Sequence, residues 1–397
     1  MLSFEQALAQ MLAQTRPPVA TETLPLEAAR NRVLAQDVTS PMNVPAFDNS
    51  AMDGYAVRCG DLAAPGVTLP VSQRIAAGMA GQPLQAGTAA RIFTGAPIPP
   101  GADAVVMQED CQQDGDLATF RIAPRPGDHI RRIGEDVAQG SVVLAQGVRL
   151  NAQQLGLAAA VGCAELTVFR PLKVALFFTG NEIVAPGQPL APGQIYNANR
   201  YGVAALLEAL GCTVVDLGVV ADNRQATLAA LRQAASAADI VLTCGGVSVG
   251  EEDHVKAAVE QLGSVDLWKV AIKPGKPLAF GEVCGKPFIG LPGNPVSALV
   301  VFSFFVRPYL LRSQGVRDVT PPSFTVRAGF DWRKPSVRRE WLRARLDGDR
   351  AVLFPNQSSG VLTSLTWAEG IVVVPEHSTV NAGDSLRYFP FTGLGLA

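Results

Sequence analysis

Short apolar runs alternate with amphipathic stretches between residues 173 and 262. We predict strands at Lys173–Thr179, Thr213–Val220 and Asp239–Leu242, and helices at Arg200–Leu210, Arg224–Ala235 and Val255–Leu262. Strands that alternate with amphipathic helices in this way form βαβ units and a parallel sheet. We therefore expect an α/β domain here, whose ligands bind beyond the carboxyl ends of its strands.

The pattern changes on both sides of this segment. Gly and Pro recur every few residues up to about residue 140, between short β-like runs, and short strands and turns return over 320–397. These features predict a β-rich module without long helices and a small C-terminal β domain. Around the module we predict helices at 3–15, Pro25–Val33 and 151–161, and strands near 34–38 and 164–169. Because helices flank the module, we expect it to be inserted into a domain built from two segments.

Composition narrows the class of protein. The chain has 397 residues, 48% of them hydrophobic and 17% charged, which predicts two to four domains. A net charge of −2 gives no reason to expect nucleic acid or an anionic membrane as a general partner. The six cysteines form no CxxC pair, which is typical of a reduced compartment and argues against a disulfide frame or a zinc site.

Targeting signals are also not apparent. The first residues lack a basic segment followed by a long apolar core, so we predict no signal peptide. The longest apolar run, Val296–Val306, is about half the length of a membrane span. We interpret it as a buried helix and expect a cytoplasmic protein.

A glycine-rich turn joins the strand Asp239–Leu242 to the helix Val255–Leu262. Such turns present backbone N–H groups to an anion at the positive end of the helix dipole. Acids beside an anion cradle repel a phosphate unless a divalent cation lies between them, and Mg²⁺ takes carboxylate oxygens together with substrate phosphates. Alternatively, the turn is only a tight connection with Asp253 facing the helix dipole. The small residues are Gly245, Gly246, Ser248 and Gly250, and the acids are Glu251, Glu252 and Asp253.

Basic residues are concentrated shortly after this turn. Three of the seven lysines, Lys269, Lys273 and Lys276, fall within eight residues in a proline-rich segment. They indicate a polyanionic substrate, although lysines at a sheet edge also serve simply to block aggregation. The following Gly290–Pro295 is either a stiff backbone wall for a ligand or a turn capped by Asn294 or Ser297.

Polar residues follow three consecutive strands of the predicted sheet, at 179–182, 221–223 and 245–248. Because the carboxyl ends of parallel strands meet at one edge, this convergence is the best evidence for a site from the residues themselves. Taken singly, Glu182 and Asp222 are equally well explained as loop caps. Asp53, in the β-rich module without lysine neighbours, is in isolation better explained as a turn residue.

Longer motifs occur along nearly the full length of the chain. They are Asn49–Val57, Phe93–Ala96, Gly134–Asp136, Gly180–Glu182, Gly245–Gly250, Lys273–Pro277, Gly290–Ser297 and Asn356–Ser359. In this order they resemble the motifs of the MoeA family, the molybdopterin molybdenumtransferases, whose eukaryotic counterpart is the E domain of gephyrin. Asn181 stands where the family commonly has aspartate, and Cys244 where serine is usual.

The resemblance implies an elongated four-domain protomer of class α/β plus β. A central parallel α/β domain similar to MogA is accompanied by a β-rich inserted module and a small C-terminal β domain. We expect domain I at 1–42 and 141–170, domain II at 43–140, domain III at 171–318 and domain IV at 319–397.

Site residues are implied position by position. Asp53 and Thr94 correspond to active-cleft residues of domain II. The acidic edge of domain III corresponds to Glu182, Asp222 and Asp253. These three acids are expected to be catalytic, together with Asp53 and Thr94. Glu182 and Asp253 are the expected metal ligands. The residues expected to bind substrate are Gly245, Gly246, Ser248, Gly250, Lys269, Lys273, Lys276, Pro292, Pro295, Arg338 and Ser359.

The reaction that the resemblance implies takes adenylylated molybdopterin and molybdate, with Mg²⁺, and gives molybdenum cofactor and AMP. The cleft is expected between domain III of one protomer and domain II of the other in a homodimer. A MogA-like adenylyltransferase and molybdoenzyme chaperones are further candidate partners, while nucleic acid and membrane are not. Two alternatives stay open: a scaffolding protein, as in gephyrin, and a MogA-like adenylyltransferase. The acidic edge, Asp53 and the lysines favour catalysis, and the two β-rich parts argue against the adenylyltransferase.

Overall fold

The central domain contains a six-stranded sheet. In the computed structural model, which describes residues 1–16, 18, 20–246 and 254–396, we label its strands in chain order. They are β1 Lys173–Thr179, β2 Thr213–Val220, β3 Ile240–Cys244, β4 Gly263–Lys269, β5 Pro277–Val283 and β6 Lys286–Leu291. Their spatial order is β2-β1-β3-β6-β5-β4. The predicted α/β domain is therefore confirmed.

The sheet is only partly parallel. Strands β2, β1, β3 and β6 run parallel, and the first three of them were predicted. At one edge β5 runs antiparallel to β6, and β4 pairs antiparallel to β5. The reason is a tight hairpin between β5 and β6. Its two residues, Cys284 and Gly285, both have positive φ, +49° and +77°, as a two-residue turn that matches strand twist requires.

Helices cover both faces of this sheet. They span Ala198–Ala209, Arg224–Ala237 and His254–Leu262, close to the predicted bounds, and a longer helical segment follows β6. That segment comprises Pro295–Val301, a π-helical turn Phe302–Val306 and Arg307–Ser313. By length and composition Pro295–Ser313 would suffice to cross a membrane, but 83% of its apolar window is buried inside the protein. The prediction of a buried helix is confirmed.

The segments before and after the β-rich module form one core. Strand Thr21–Pro25 pairs with Glu165–Phe169, and Val38–Thr39 pairs with Val142–Leu144, both antiparallel. Apolar side chains from both segments are buried together, with the helix Ala152–Ala160 beside them. The helix Phe4–Ala13, which Ser3 caps, packs instead on the central domain.

The helix predicted over Pro25–Val33 is wrong. Residues Thr21–Pro25 form a strand, and only a single 3₁₀ turn, Leu26–Ala28, follows it. Asn31 has a left-handed φ of +63°, which a continuing α-helix cannot contain. Its N–H donates to the carbonyl of Leu150 at 2.8 Å, so pairing with the distant segment replaces the helical hydrogen bond.

The β-rich module contains a second six-stranded sheet. Its strands, in spatial order, are Ala104–Met107, Gly54–Val57, Ala89–Ile92, Val67–Ile75, Leu117–Phe120 and Cys111–Asp114. A separate short pair, Asn49–Ser50 with Ile130–Arg131, joins the start of the module to its end. The predicted absence of long helices holds for the described residues of the module, which has only 3₁₀ turns at Cys59–Asp61 and Gln108–Asp110.

The C-terminal domain is barrel-like. Going round, the strands are Arg339–Asp347, Arg350–Leu353, Phe324–Ala328, Ser385–Pro390 and Gly370–Val374, and the last pairs again with the first. Short helices lie at Thr363–Trp367 and Phe391–Leu394. A two-residue strand of the central domain, Ile272–Lys273, pairs in parallel with Arg339–Glu340. This pairing connects the two domains beside the predicted basic segment.

Candidate functional site

A cavity of about 390 Å³ lies at the carboxyl ends of β1 and β3. The turn after β6 also lines the cavity, so its walls come from segments that follow the three neighbouring strands β1, β3 and β6. Its lining residues are Phe178, Thr179, Glu182, Ile183, Ile195, Tyr196, Asn197, Ala198, Asn199, Cys244, Gly245, Gly293, Asn294 and Pro295. The location is the one expected for ligands of a parallel α/β sheet.

Gly245 and Gly246 begin the turn that follows β3, and both need to be glycine. Their φ values of +96° and +65° are ones that other residues rarely adopt. A Cβ on Gly245 would lie 3.0 Å from the carbonyl oxygen of Thr179, and one on Gly246 would lie 2.5 Å from Val255 Cγ2. The backbone of this turn therefore lies so close to β1 and the next helix that a side chain at either glycine would crowd its neighbours.

Hydrogen bonds fix the position of the turn after β6. Asn199 Nδ2 donates to the carbonyl of Gly293 at 2.7 Å and to Cys244 Sγ at 3.1 Å. The Cys244 thiol in turn donates to the carbonyl of Pro292 at 3.3 Å. Burial raises the pKa of Cys244 to about 12, so the thiol stays protonated and acts as a structural donor.

Glu182 and Asp222 lie at the same edge of the sheet but are placed differently. Glu182 lines the cavity, and its carboxylate folds back over Gly180, where a Cβ would lie 2.7 Å from Oε2. Asp222 follows β2, the outer neighbour of β1, and is not among the residues that line the cavity. Glu182 therefore lies in the cavity wall, whereas Asp222 lies at the same edge of the sheet but outside the cavity.

The basic segment lies at this edge too. Lys269 ends β4 and Lys276 precedes β5, and the loop is closed by a hydrogen bond from Val270 N–H to the Lys276 carbonyl at 2.9 Å. Because Ala279 of β5 lies opposite Gly290 of β6, the start of β5 reaches the carboxyl end of β6. Strand spacing puts the loop roughly 10 to 15 Å from the Gly245 turn.

The three lysines differ in their surroundings. Lys269 and Lys276 are exposed, and neither forms an ion pair within the described part of the chain. The Nζ of Lys273, by contrast, lies 2.6 Å from Oε1 of Glu340, a carboxylate of the C-terminal domain. Its side chain is still 51% exposed, so the ammonium is held by the protein on one side and open on the other.

The C-terminal domain brings its two predicted residues to the same region. The carbonyl of Ser359 accepts a hydrogen bond from Val296 N–H at 3.1 Å, next to Pro295 of the cavity wall. Arg338 is two residues from Glu340 and is partly buried. Both therefore lie beside the segments that line or flank the cavity.

A buried arginine organises the loop that carries Ser359. Arg343 is fully buried, and its guanidinium donates to Ser364 Oγ at 3.1 Å and to the carbonyl of Ser358 at 3.0 Å. The Arg343 backbone N–H donates to Gln357 Oε1 at 2.9 Å, and Gln357 Nε2 donates to the Arg343 carbonyl at 3.0 Å. Burial lowers the pKa of Arg343 to about 10, which leaves it charged at neutral pH.

Asp53 and Thr94 meet in the β-rich module. Asp53 Oδ1 accepts hydrogen bonds from Thr94 N–H at 2.8 Å and Thr94 Oγ1 at 2.7 Å. These two bonds, with a smaller contribution from the nearby Arg91, lower the pKa of Asp53. Both residues are exposed, and neither lines the cavity of the central domain. Within one chain, the structure does not bring them to that cavity.

Family models match three consecutive parts of the chain. The MoeA N-terminal region (domains I and II) matches residues 2–162, the probable molybdopterin binding domain 175–312, and the MoeA C-terminal region (domain IV) 325–391. A molybdopterin molybdenumtransferase of Haemophilus influenzae is 44% identical over 99% of this chain and 100% of its own length. The chain belongs to the MoeA family. Molybdopterin molybdenumtransferase 2 of Mycobacterium tuberculosis is 40% identical, with 98% of each chain covered.

Solved MoeA structures share the architecture of the entire chain. The molybdopterin biosynthesis MoeA protein of Pyrococcus horikoshii is 35% identical, with a TM-score of 0.78 over 98% of this chain and 99% of that one. A second structure from the same species has a TM-score of 0.85 at 28% identity, with 98% and 100% covered. The expected fold class, including the inserted module and the C-terminal β domain, is confirmed.

Some residues predicted for the site of this MoeA-family chain lie outside the part of the chain that the structure describes. Ser248, Gly250 and Asp253 lie outside the described residues, as do Glu251 and Glu252. Among the described residues, no group of three or more His, Cys, Asp or Glu side chains is arranged to hold a metal ion. The one predicted metal ligand that can be located, Glu182, is a carboxylate in a cavity with other oxygen donors.

Other residues of the site escaped the sequence analysis. Asn197 and Asn199 line the cavity, and Asn197 Oδ1 also accepts from Arg200 N–H at 3.1 Å as the cap of the helix Ala198–Ala209. Two asparagines just before a predicted helix are a recognisable cap signal, which could have drawn attention to them. Glu340 gave no such signal, because its partner Lys273 is distant in the sequence.

A second cavity, of about 220 Å³, lies at the opposite edge of the central sheet. Arg16, Arg170, Lys286 and Tyr309 are among its lining residues, near the amino-terminal ends of β1, β3 and β6. None of the predicted site residues lines it.

Proposed function

We propose that this chain is a molybdopterin molybdenumtransferase, which inserts molybdate into adenylylated molybdopterin and releases AMP. The observation that carries the proposal is the near full-length match to relatives of that name, together with a cavity at three strand ends that is flanked by a basic segment. The role in molybdenum cofactor biosynthesis follows from the same relatives. Each assignment below is part of the proposal.

The central domain holds the substrate. The glycine turn presents backbone donors to a phosphate, with Gly245, Gly246, Ser248 and Gly250 leaving room for close approach. Lys269, Lys273 and Lys276 neutralise phosphate or molybdate charge. The segments that carry Pro292, Pro295, Arg338 and Ser359 complete the wall, which is supported by the contact between Ser359 and Val296.

Mg²⁺ is the proposed cofactor, and its ligands are Glu182 and Asp253. Mg²⁺ is usually bound by one or two carboxylates plus substrate phosphates rather than by a cage of protein ligands. The lack of a three-residue cluster among the described residues is compatible with such a site, and Glu182 supplies one hard oxygen donor. When bound, the ion would offset phosphate charge during cleavage of the anhydride. Asp222 adds negative charge at the same edge.

Asp53 and Thr94 act from a second copy of the chain. Asp53 carries its charge at an exposed loop, held by Thr94, and is proposed to orient molybdate or water. Because neither residue lines the cavity of its own chain, we propose a homodimer in which domain II of one protomer completes the cleft of the other. A MogA-like adenylyltransferase and molybdoenzyme chaperones are proposed as further partners.

We also propose a cytoplasmic location. All six cysteines are free thiols, as is usual in a reducing compartment.

One assay tests the proposed function. The purified chain is mixed with adenylylated molybdopterin and Mg²⁺, and AMP release is measured by chromatography with and without molybdate. We expect release that requires both molybdate and Mg²⁺. Tight binding without turnover would instead indicate a scaffolding protein, and ATP consumption with molybdopterin alone would indicate an adenylyltransferase. Either result overturns the proposal.

A further inference from the structure

Glu340 is a buried carboxylate outside the predicted set of site residues. Only 2% of its surface is exposed, yet it is an ionisable side chain. Its Oε1 lies 2.6 Å from Lys273 Nζ, and its Oε2 accepts a hydrogen bond from Trp332 Nε1. Both oxygens are thus occupied, which is how a buried carboxylate is tolerated.

Backbone pairing explains why this ion pair forms. Ile272–Lys273 pairs in parallel with Arg339–Glu340, so that Lys273 lies in register with Glu340. The Arg339 N–H donates to the carbonyl of Ala271 at 2.8 Å, which fixes the two strands together. The C-terminal domain therefore determines where the Lys273 ammonium lies.

A lysine without such a partner does not hold its ammonium group at a defined position. Its four-carbon stem has many rotamers, and ordering it when an anion arrives costs conformational entropy. Lys269 and Lys276, which have no ion pair among the described residues, retain that freedom. Lys273 has already lost it, because Glu340 holds its ammonium while the outer side stays open.

We propose that Glu340 is a positioning residue: it holds the Lys273 ammonium at the edge of the cleft for the oxyanion substrate. Trp332 supports Glu340 from behind through its other oxygen. The inference rests on the proposed function and adds to it a residue of domain IV that acts through Lys273. The geometry of the proposed cleft would then depend on where domain IV lies relative to the central domain.

Two explanations predict opposite effects when the negative charge of Glu340 is removed. A carboxylate beside an anion site repels the anion, so neutralising it would tighten molybdate binding. Positioning predicts that the same change weakens catalysis, because a misplaced cation stabilises developing charge poorly. The sign of the effect in Glu340→Gln therefore separates the two explanations.

Glu340→Gln is a mild test, because glutamine can still accept from Trp332 and occupies nearly the same volume. AMP release is measured against molybdate concentration for the parent chain and the variant. We expect kcat/KM to fall about tenfold, roughly the loss of one charge-assisted hydrogen bond. Tighter molybdate binding, or kinetics that equal those of the parent chain, would overturn the inference.

Glu376→Gln is the matched control. Glu376 pairs at 3.3 Å with Arg339, the immediate neighbour of Glu340, and is likewise mostly buried. The same substitution there also breaks an ion pair of the C-terminal domain but leaves Lys273 untouched. We expect its kinetics within twofold of the parent chain. An equal loss in both variants would mean that Glu340 has only a general structural role.

Action through Lys273 is tested by a double-mutant cycle. In a Lys273→Met background, Glu340→Gln should cause no further loss of AMP release, since the group it positions is gone. Full additivity of the two losses would contradict the proposal. Trp332→Phe, which removes the other hydrogen bond to Glu340, should give an intermediate loss.

A chemical readout keeps the ion pair testable apart from activity. The rate of acetylation of Lys273 by an activated ester is followed by mass spectrometry, with Lys276 in the same molecule as reference. Glu340→Gln should raise the Lys273 rate several-fold, whereas Glu376→Gln should leave it unchanged. A parent chain that releases no AMP would refute the proposed function alone; unchanged acetylation would refute the positioning by Glu340.

Discussion

The Asp53 carboxylate accepts two hydrogen bonds from Thr94, so its charge can be tested without disturbing the loop. In Asp53→Asn the side-chain oxygen can still accept from Thr94, so local structure is retained while the charge is lost. We expect AMP release to fall by about a hundredfold or more, as when one preorganised charge partner is removed. The melting temperature should stay near that of the parent chain.

The control for this variant is Asp114→Asn, an exposed acid of the same module. It should leave AMP release unchanged. Full activity of Asp53→Asn would support the interpretation of Asp53 as a turn residue, which the residues taken in isolation favoured.

The two hydrogen bonds from Thr94 also predict how the Asp53 carboxyl titrates. They stabilise the ionised carboxylate, so the pKa of Asp53 is lowered and the charge persists below the ordinary aspartate range. Thr94→Val removes the bond from Oγ1 and keeps the one from the backbone, so the Asp53 pKa should rise. A carbon-13 NMR titration of labelled aspartate carboxyls measures it directly.

Thr119→Val provides the comparison for that titration. The Thr119 hydroxyl bonds the hydroxyl of Thr68, and Thr119 is distant in sequence from Asp53. Its substitution should leave the Asp53 titration where it is in the parent chain. An unshifted Asp53 in Thr94→Val would show that the backbone bond alone determines the pKa.

Lys273 illustrates what a sequence reveals about single residues. Clustered lysines with prolines were a local signal, and the structure does put all three at the expected edge of the sheet. The partner of Lys273 had no local signal, because Glu340 lies in another domain and meets it only through strand pairing. Ion pairs of this kind depend on tertiary register, which short-range patterns do not contain.

Among the turns, Gly246 combines two constraints whose costs can be separated. Gly246→Ala would strain a φ of +65° and also put a Cβ 2.5 Å from Val255 Cγ2. Gly115→Ala strains a similar φ of +56° but meets nothing within 4 Å. We expect Gly115→Ala to lower the free energy of unfolding by about 1 to 2 kcal/mol. Gly246→Ala should cost roughly 1 to 3 kcal/mol more through overpacking.

Denaturant unfolding of the two variants measures the difference. Val255→Ala removes the atom that the new Cβ would meet, so it should relieve part of the cost of Gly246→Ala in the double variant. Equal losses for the two glycine variants would mean that the turn moves freely away from the helix.

The secondary-structure elements were predictable where local periodicity decides them. The strands β1, β2 and β3 and the helices between them carry their own apolar patterns, and the structure confirms them. The helix predicted at Pro25–Val33 failed because Thr21–Pro25 gains its hydrogen bonds from a distant strand. Strands β4, β5 and β6 were likewise not predicted, and the antiparallel direction of β5 is determined by a tight hairpin rather than by periodicity.

At the scale of the entire chain, the proposed shared cleft predicts complementation. Asp53→Asn and Glu182→Gln protomers should each be nearly inactive alone. In a mixed dimer both defects can fall in one cleft, which leaves the other intact. After random exchange about a quarter of all clefts should work, if the sites act independently. AMP release after verified subunit exchange is the measurement, and no recovery would place both residues in a cleft of one chain.

The multidomain architecture was largely predictable from the residues, whereas the residues of the proposed cleft were not. Shifts in Gly and Pro content indicated the inserted module, and its flanking segments do share a core. The residue analysis alone left Asp53 as a turn residue, because nothing near it in sequence suggested a ligand. Only the resemblance to a family assigned it to a cleft, and the exposed Asp53–Thr94 pair stays a proposal until it is tested.

The first helix has a consequence for how the chain is made. Phe4 packs against Phe305 and Trp341, each with ring centroids 5.2 Å apart, and Arg339 lies over its ring. These partners are synthesised long after Phe4, about 15 to 70 seconds later at elongation rates of about 5 to 20 residues per second. During that interval the apolar face of the helix is available to chaperones, so completion of the fold at the beginning of the chain has to wait for its end.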